Sequence, residues 1–211
     1  MCIKYSGMKF LTFIAACIGT IAAVSCSQTE QKKVDMENNV IEAILTRRTI
    51  RKYKPEPVNR EVLEKIIECG VYAPSALNKQ SWEIRVVETP ELLNEIKDAL
   101  VAANPDEDPA VVRDCFREAR TVLFIANDTT FQFSPIDCGI FSQNIMLSAY
   151  SLGVGSVCLG RPLQFLKNCP EVLTKLDFSE GYSPIICVGL GYPDESPVAK
   201  PRDFSKVRYL K

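Results

Sequence analysis

Histidine is absent from all 211 residues. With it go the commonest neutral-pH acid and base, the Ser/His and Cys/His nucleophile pairs, and the usual zinc ligand. Cysteine is plentiful, but the nine cysteines (Cys2, Cys17, Cys26, Cys69, Cys115, Cys138, Cys158, Cys169 and Cys187) form no C-x-x-C pair. That spacing argues against zinc and iron–sulfur centres. Several lie in apolar stretches, as Cys187 does between Ile186 and Val188, where a free thiol packs as a small hydrophobe. An excess of one charge is also lacking: the formal net charge is -1, with both signs spread along the chain. No broad field attracts nucleic acid or anionic lipid, so a bound anion must meet a local cluster of cations. Nucleotide-binding glycine fingerprints are missing too. Gly153-Val154-Gly155 follows a helical pattern and leads into a strand, the reverse of a Rossmann turn, and Gly189-Leu190-Gly191 is followed by Tyr192-Pro193. Between Gly155 and Gly160 the spacing suggests a P-loop, yet Arg161-Pro162 stands where that loop needs lysine and a hydroxyl.

What the chain does contain is enough apolar sequence for one well-buried core, and too little length for two comfortable domains. Residues 1–25 read as a signal peptide: Met8-Lys9-Phe10, an apolar run from Leu11 to Val24, then Ser25 and Cys26. The run is short of the roughly 20 residues a membrane span needs. Ala23-Val24-Ser25-Cys26 resembles a bacterial lipobox, with alanine where leucine is usual. That resemblance implies lipidation of Cys26, loss of residues 1–25, and a mature protein anchored in the bacterial cell envelope, on the periplasmic side. Residues 26–37 would form the lipidated cysteine and a polar tether, and 38–211 the folded domain.

Within that domain, Ile41, Ile44 and Leu45 recur at helical spacing over 38–47, and a second apolar stripe predicts a helix over 60–72 after Asn59. Alternation over 82–87 reads as a strand. Thr89-Pro90 opens a helix through Leu100, and another is expected over 109–119. The continuous apolar run 121–126 fits a strand covered on both faces. Ser134-Pro135 begins a long helix to about Leu152, apolar on more than one side, and therefore buried in the domain or against a partner subunit. Strands at 155–159 and 183–190 with a helix near 163–173 complete an α+β pattern without strict βαβ alternation.

The densest chemistry lies in Arg47-Arg48-Thr49-Ile50-Arg51-Lys52: four cations and a hydroxyl within six residues, suited to a phosphate. A second cationic pair, Lys200 and Arg202, lies near the carboxyl end. Four motifs, in order and in register from about Ile41 to Arg202, resemble the nitroreductase family. Arg47-Arg48-Thr49-Ile50-Arg51 is similar to its Arg-Arg-Ser-x-Arg opening. Residues 73–82, Ala-Pro-Ser-Ala-Leu-Asn-Lys-Gln-Ser-Trp, are similar to its Ala-Pro-Ser-x-x-Asn-x-Gln-Pro-Trp motif. The stretch from Asp137-Cys138-Gly139 to Ser156 is similar to its long helix and following strand, and Gly189 to Pro193 with Lys200-Pro201-Arg202 to its carboxyl end.

The resemblance implies a central mixed or antiparallel sheet flanked by helices, in an obligate homodimer with two flavin mononucleotide (FMN) sites at the subunit interface. Arg47, Arg48, Thr49, Lys200 and Arg202 would hold the FMN phosphate and ribityl chain. Arg51 would lie at the pyrimidine edge, where a cation stabilises negative charge on the reduced ring. Ser75 and Asn78 would touch the ring or its edge, and Cys158, Leu159 and Gly160 would cross its face. No side-chain catalyst is expected, because the flavin carries the chemistry: NAD(P)H as donor, a nitroaromatic, quinone or similar small acceptor, and no metal. An envelope location offers little NAD(P)H. Another donor would then serve; reductive dehalogenation, a non-catalytic flavin-binding lipoprotein and a plain lipoprotein binding module are the competing readings.

Overall fold

The computed structural model describes residues 40–210. The expected signal segment, Cys26, the expected tether and residues 38 and 39 of the expected first helix lie outside the described residues. Within the described residues seven α-helices and four strands follow: α1 Val40–Thr46, α2 Arg60–Val71, β1 Trp82–Val87, α3 Pro90–Ala103, α4 Pro109–Arg113, β2 Thr121–Asp128, α5 Ser134–Ser151, β3 Gly155–Leu159, α6 Arg161–Leu166, α7 Pro170–Leu176 and β4 Tyr182–Gly191.

Local chemistry sets the helix starts. The Asn59 side chain accepts from the Glu61 and Val62 amides at 2.9 and 3.3 Å, Thr89 Oγ1 from Leu92, and Asp108 from Ala110. Each satisfies a donor that the first helical turn leaves open. Pro90, Pro109, Pro135, Pro162 and Pro170 all sit in first turns, where a missing N–H costs nothing.

The sheet runs in the order β1-β2-β4-β3, every neighbour antiparallel. Residues 122–126 of β2 are wholly inaccessible, as expected of a strand covered on both faces. Val122 and Phe124 point into one core with Leu93, Ile96 and Leu100 of α3. Leu123 and Ile125 point into the other with Leu63 and Ile66 of α2 and Phe141 and Ile145 of α5. The thiols Cys115, Cys138, Cys169 and Cys187 are buried within these layers, Cys69 is half-buried and Cys158 is exposed.

Two helices expected from the sequence are broken within their expected bounds. The one over 109–119 ends at Arg113, passes through a 3-10 turn, Asp114–Phe116, and stops at Arg117, whose φ of 54° is incompatible with helix. The one near 163–173 is two helices. Pro170 has no N–H to donate and its ring would strike the preceding turn, so it starts α7 instead of continuing α6.

Candidate functional site

The basic signature leaves α1 and is stitched into the end of the sheet. Arg48 Nη1 donates to the carbonyls of Leu45 and Arg47, both at 2.9 Å, and so closes α1. Thr49 then pairs with Ser156 of β3 in a parallel bridge, and the Ile50 amide donates to Ser156 O at 3.0 Å. Further on, the Lys54 amide reaches Tyr192 O and the Asp194 amide reaches Lys52 O. Tyr53 is buried between these strands and donates to Ile50 O at 2.6 Å; burial raises its phenol pKa. A Cβ on Gly155 would lie 2.9 Å from Ile50 Cβ, so glycine is what allows the signature to lie this close to β3. Glu195 Oε1 accepts from the Arg51 and Lys52 amides, leaving the Arg51 side chain exposed.

Arg47 is half-buried, and its Nη1 is a buried donor without a partner among the described residues. Its pKa is lowered by burial first, then by the nearby charges of Arg48 and Arg202, while Cys158 acts in the opposite sense. Two adjacent arginines and one from the far end of the sequence therefore share one neighbourhood. Cys158 reaches solvent, yet burial of its sulfur raises the thiol pKa and Arg47 opposes that shift. The second buried orphan is Ser156 Oγ, on the same side of β3 as Cys158. Two unpaired polar atoms, one two residues before Thr49 and one on its bridge partner, are costly unless something polar meets each of them. An anion fits the guanidinium, which has a donor to offer and, among the described residues, no acceptor in reach.

The remaining expected residues are distributed as follows. A Cβ on Gly160 would meet nothing within 4 Å, which leaves the space above it open. The Leu159 side chain is buried in the α3-side core, so at this position only the backbone can face a ligand. Lys200 is exposed on the tail after β4, and among the described residues it makes no hydrogen bond or ion pair.

Ser75 and Asn78 form a separate turn. The Asn78 amide donates to Ser75 O, and the Gln80 amide to Ser75 Oγ, both at 3.0 Å. Leu77, Asn78 and Gln80 have φ of 56°, 53° and 48°, left-handed values that cost strain in non-glycine residues. Asp137, almost wholly buried, holds the turn in place by accepting from Ala76 N at 3.0 Å and from Ser81 Oγ at 2.8 Å.

Helix α5 separates the two halves. Asp137, at its first turn, carries the Ser75–Asn78 turn; Tyr150, at its last, is hydrogen-bonded to Thr46 Oγ1 at 2.8 Å beside the arginines. Thirteen residues at 1.5 Å each put these anchors about 20 Å apart. Within one chain, the cation cluster and the Asn78 turn do not meet. Asp137, Ser156 and Glu195 are the structural surprises. An acid in the first turn of an apolar helix could have drawn attention to Asp137; nothing in the sequence marks the other two. Among the described residues no cluster of His, Cys, Asp and Glu could hold a metal, and no helix is long and apolar enough to cross a membrane.

Residues 44–192 match the family model described as the nitroreductase family. The chain belongs to the nitroreductase family. Among relatives of this nitroreductase-family chain, a Methanothermobacter thermautotrophicus protein provisionally named NADH dehydrogenase/NAD(P)H nitroreductase is 35% identical, over 75% of this chain and 80% of its own length. The NADPH-flavin oxidoreductase of Vibrio harveyi is 32% identical, over 78% and 70%. A Bacteroides fragilis nitroreductase with bound FMN superposes with a TM-score of 0.73 and 26% identity, covering 83% of this chain and all of that one.

Proposed function

We propose that the protein is an FMN-dependent oxidoreductase that takes electrons from NAD(P)H and delivers them to a nitroaromatic, quinone or similar small acceptor. The observation that carries this reading is the unpartnered, half-buried Arg47 guanidinium in the shared field of Arg48 and Arg202. Support for the cofactor comes from the FMN-bound Bacteroides fragilis structure, and support for the donor from the NADPH-flavin oxidoreductase of Vibrio harveyi.

FMN, when bound, supplies the two-electron transfer. In our reading Arg47 and Thr49 hold its phosphate, with Arg48, Lys200 and Arg202 adding charge. Arg51 presents its guanidinium from a backbone pinned by Glu195. Cys158 and Gly160 border the space left for the ring. Asp137 fixes the turn that brings Ser75 and Asn78 to a ring edge. Protons come from solvent, in keeping with a chain that has no histidine.

The same reading requires a homodimer. The Asn78 turn and the arginines are separated by the length of α5, so a site using both draws them from two copies. An exposed apolar surface supports this: Val40, Ile44 and Leu45 of α1 and Ile136 of α5 reach solvent, as do Val198, Phe204, Tyr209 and Leu210 of the tail. Lipid attachment at Cys26, and with it an envelope location, belongs to the proposal on the strength of the sequence pattern over 8–26. Intact mass of the amino-terminal peptide tests it, since an unmodified cysteine there would remove it.

The test of function is the visible spectrum of the purified protein, followed anaerobically while NADH or NADPH is added. A stoichiometric flavin spectrum that bleaches with nicotinamide is the expected result. A colourless protein that cannot be reconstituted with FMN would overturn the assignment.

A further inference from the structure

On the face of the sheet opposite α5, a cleft of about 230 Å³ opens between α3 and the segment that leads into β2. Leu93 and Ala119 give it an apolar floor. Lys97, Arg117 and Arg120 line its walls, and Glu118 stands on the exposed lip.

Three features of these walls point to an occupant. First, the cations outnumber the acids. Asp114 pairs with Arg117, and Asp98 pairs with neighbouring Arg113 at 2.5 Å, but Lys97 has no hydrogen bond or ion pair among the described residues although it is half-buried. Second, Arg120 is tethered at two points: its amide donates to Leu190 O and its Nε to Lys54 O, both at 3.0 Å. Third, Arg117 has φ 54° and ψ -152°, a conformation normally left to glycine. Such outliers persist where surrounding structure enforces them, often at ligand clamps. Here the turn sends residues 117–120 along the cleft wall.

We propose that this cleft binds a small oxyanion, a phosphate or carboxylate group, with Lys97 as its central ligand and Arg120 and Arg117 beside it. The Lys97 pKa is lowered, chiefly by burial, with Arg113 and Arg120 adding to the shift and Cys115 and Asp114 opposing it; an anion would relieve that penalty. The volume is below the roughly 300–1,000 Å³ of pockets for drug-sized ligands, so the occupant is a free anion or a short organic acid. It does not depend on the flavin reading, because the cleft shares no residue with the arginine site.

The experiment is thermal unfolding of the holoenzyme in excess FMN, with sodium phosphate or succinate added at ionic strength matched by sodium chloride. A saturable rise in Tm is expected, about 5–10 °C at 100-fold above Kd. Response to phosphate alone assigns a phosphate ligand, and response to succinate alone assigns a carboxylate. Lys97→Met should abolish the rise while leaving Tm without anion equal or higher. Glu118→Gln, a change on the exposed lip, should tighten binding several-fold. No saturable rise with either anion, or an equal rise in Lys97→Met, would overturn the proposal.

Discussion

Replacing Arg47 by methionine should weaken FMN binding while sparing the empty protein. The guanidinium is half-buried with Nη1 unpaired, and burial disfavours its charge. A charge-assisted hydrogen bond to an anion is worth about 1.5–3 kcal/mol, which at 1.4 kcal/mol per decade raises Kd about 10- to 150-fold. Without FMN, the substitution removes a cation that has no partner and keeps most of the side-chain volume, so Tm should hold or rise. The effects on cofactor affinity and on empty-protein stability therefore have opposite signs, a pattern that simple misfolding cannot give. Quenching of flavin fluorescence on titration measures the first, and scanning calorimetry of flavin-free protein the second. Arg60→Met, which breaks exposed pairs with Glu64 and Glu88, is the control and should leave FMN affinity alone. Affinity within twofold of wild type in Arg47→Met, or a flavin-free Tm lowered by several degrees, would refute the reasoning.

Asp137→Ala strands the Ala76 amide and the Ser81 hydroxyl; we expect a loss of about 2–4 kcal/mol in denaturant unfolding, and a larger fall in turnover than in FMN affinity. Gly155→Ala drives a methyl into Ile50; overpacking of about 1–3 kcal/mol should come with weaker FMN binding, since Thr49 moves with its neighbour. Cys115 and Cys138 have thiol pKa values raised by burial from 9.0 to about 12 and about 11. A pKa raised on folding contributes stability that is intact below pH 9 and lost as pH rises toward these values. Tm should fall between pH 9 and 11, and less steeply in Cys115→Ala. Among the described cysteines, iodoacetamide should label Cys158 first, since it alone is exposed, and FMN should slow that labelling.

The local layers of the fold were legible because they are local. Alternation marks β1, the unbroken apolar run marks β2, and Ser134-Pro135 marks α5 to within a residue or two. The helix expected near 163–173 shows the limit: Leu163, Leu166 and Leu173 fit one helical stripe, and only the proline rule at Pro170 divides it. Arg47 and its neighbours were visible as a charge cluster. That Arg202 lies within their field depends on how the tail leaves β4, which no local pattern encodes; the family resemblance suggested it and the structure brings the two together. The unpaired hydroxyl of Ser156 could not be read at all, because an orphan is defined by what fails to surround it.

Helix α5 acts as a spacer whose length sets the stoichiometry of failure. If each site combines the arginines of one copy with the Asn78 turn of the other, a chain damaged in the first element and a chain damaged in the second are each inactive alone. Mixed together they pair into a dimer with one site doubly damaged and one intact. Lesions at opposite ends of one helix would thus complement each other, while two lesions at the same end would not.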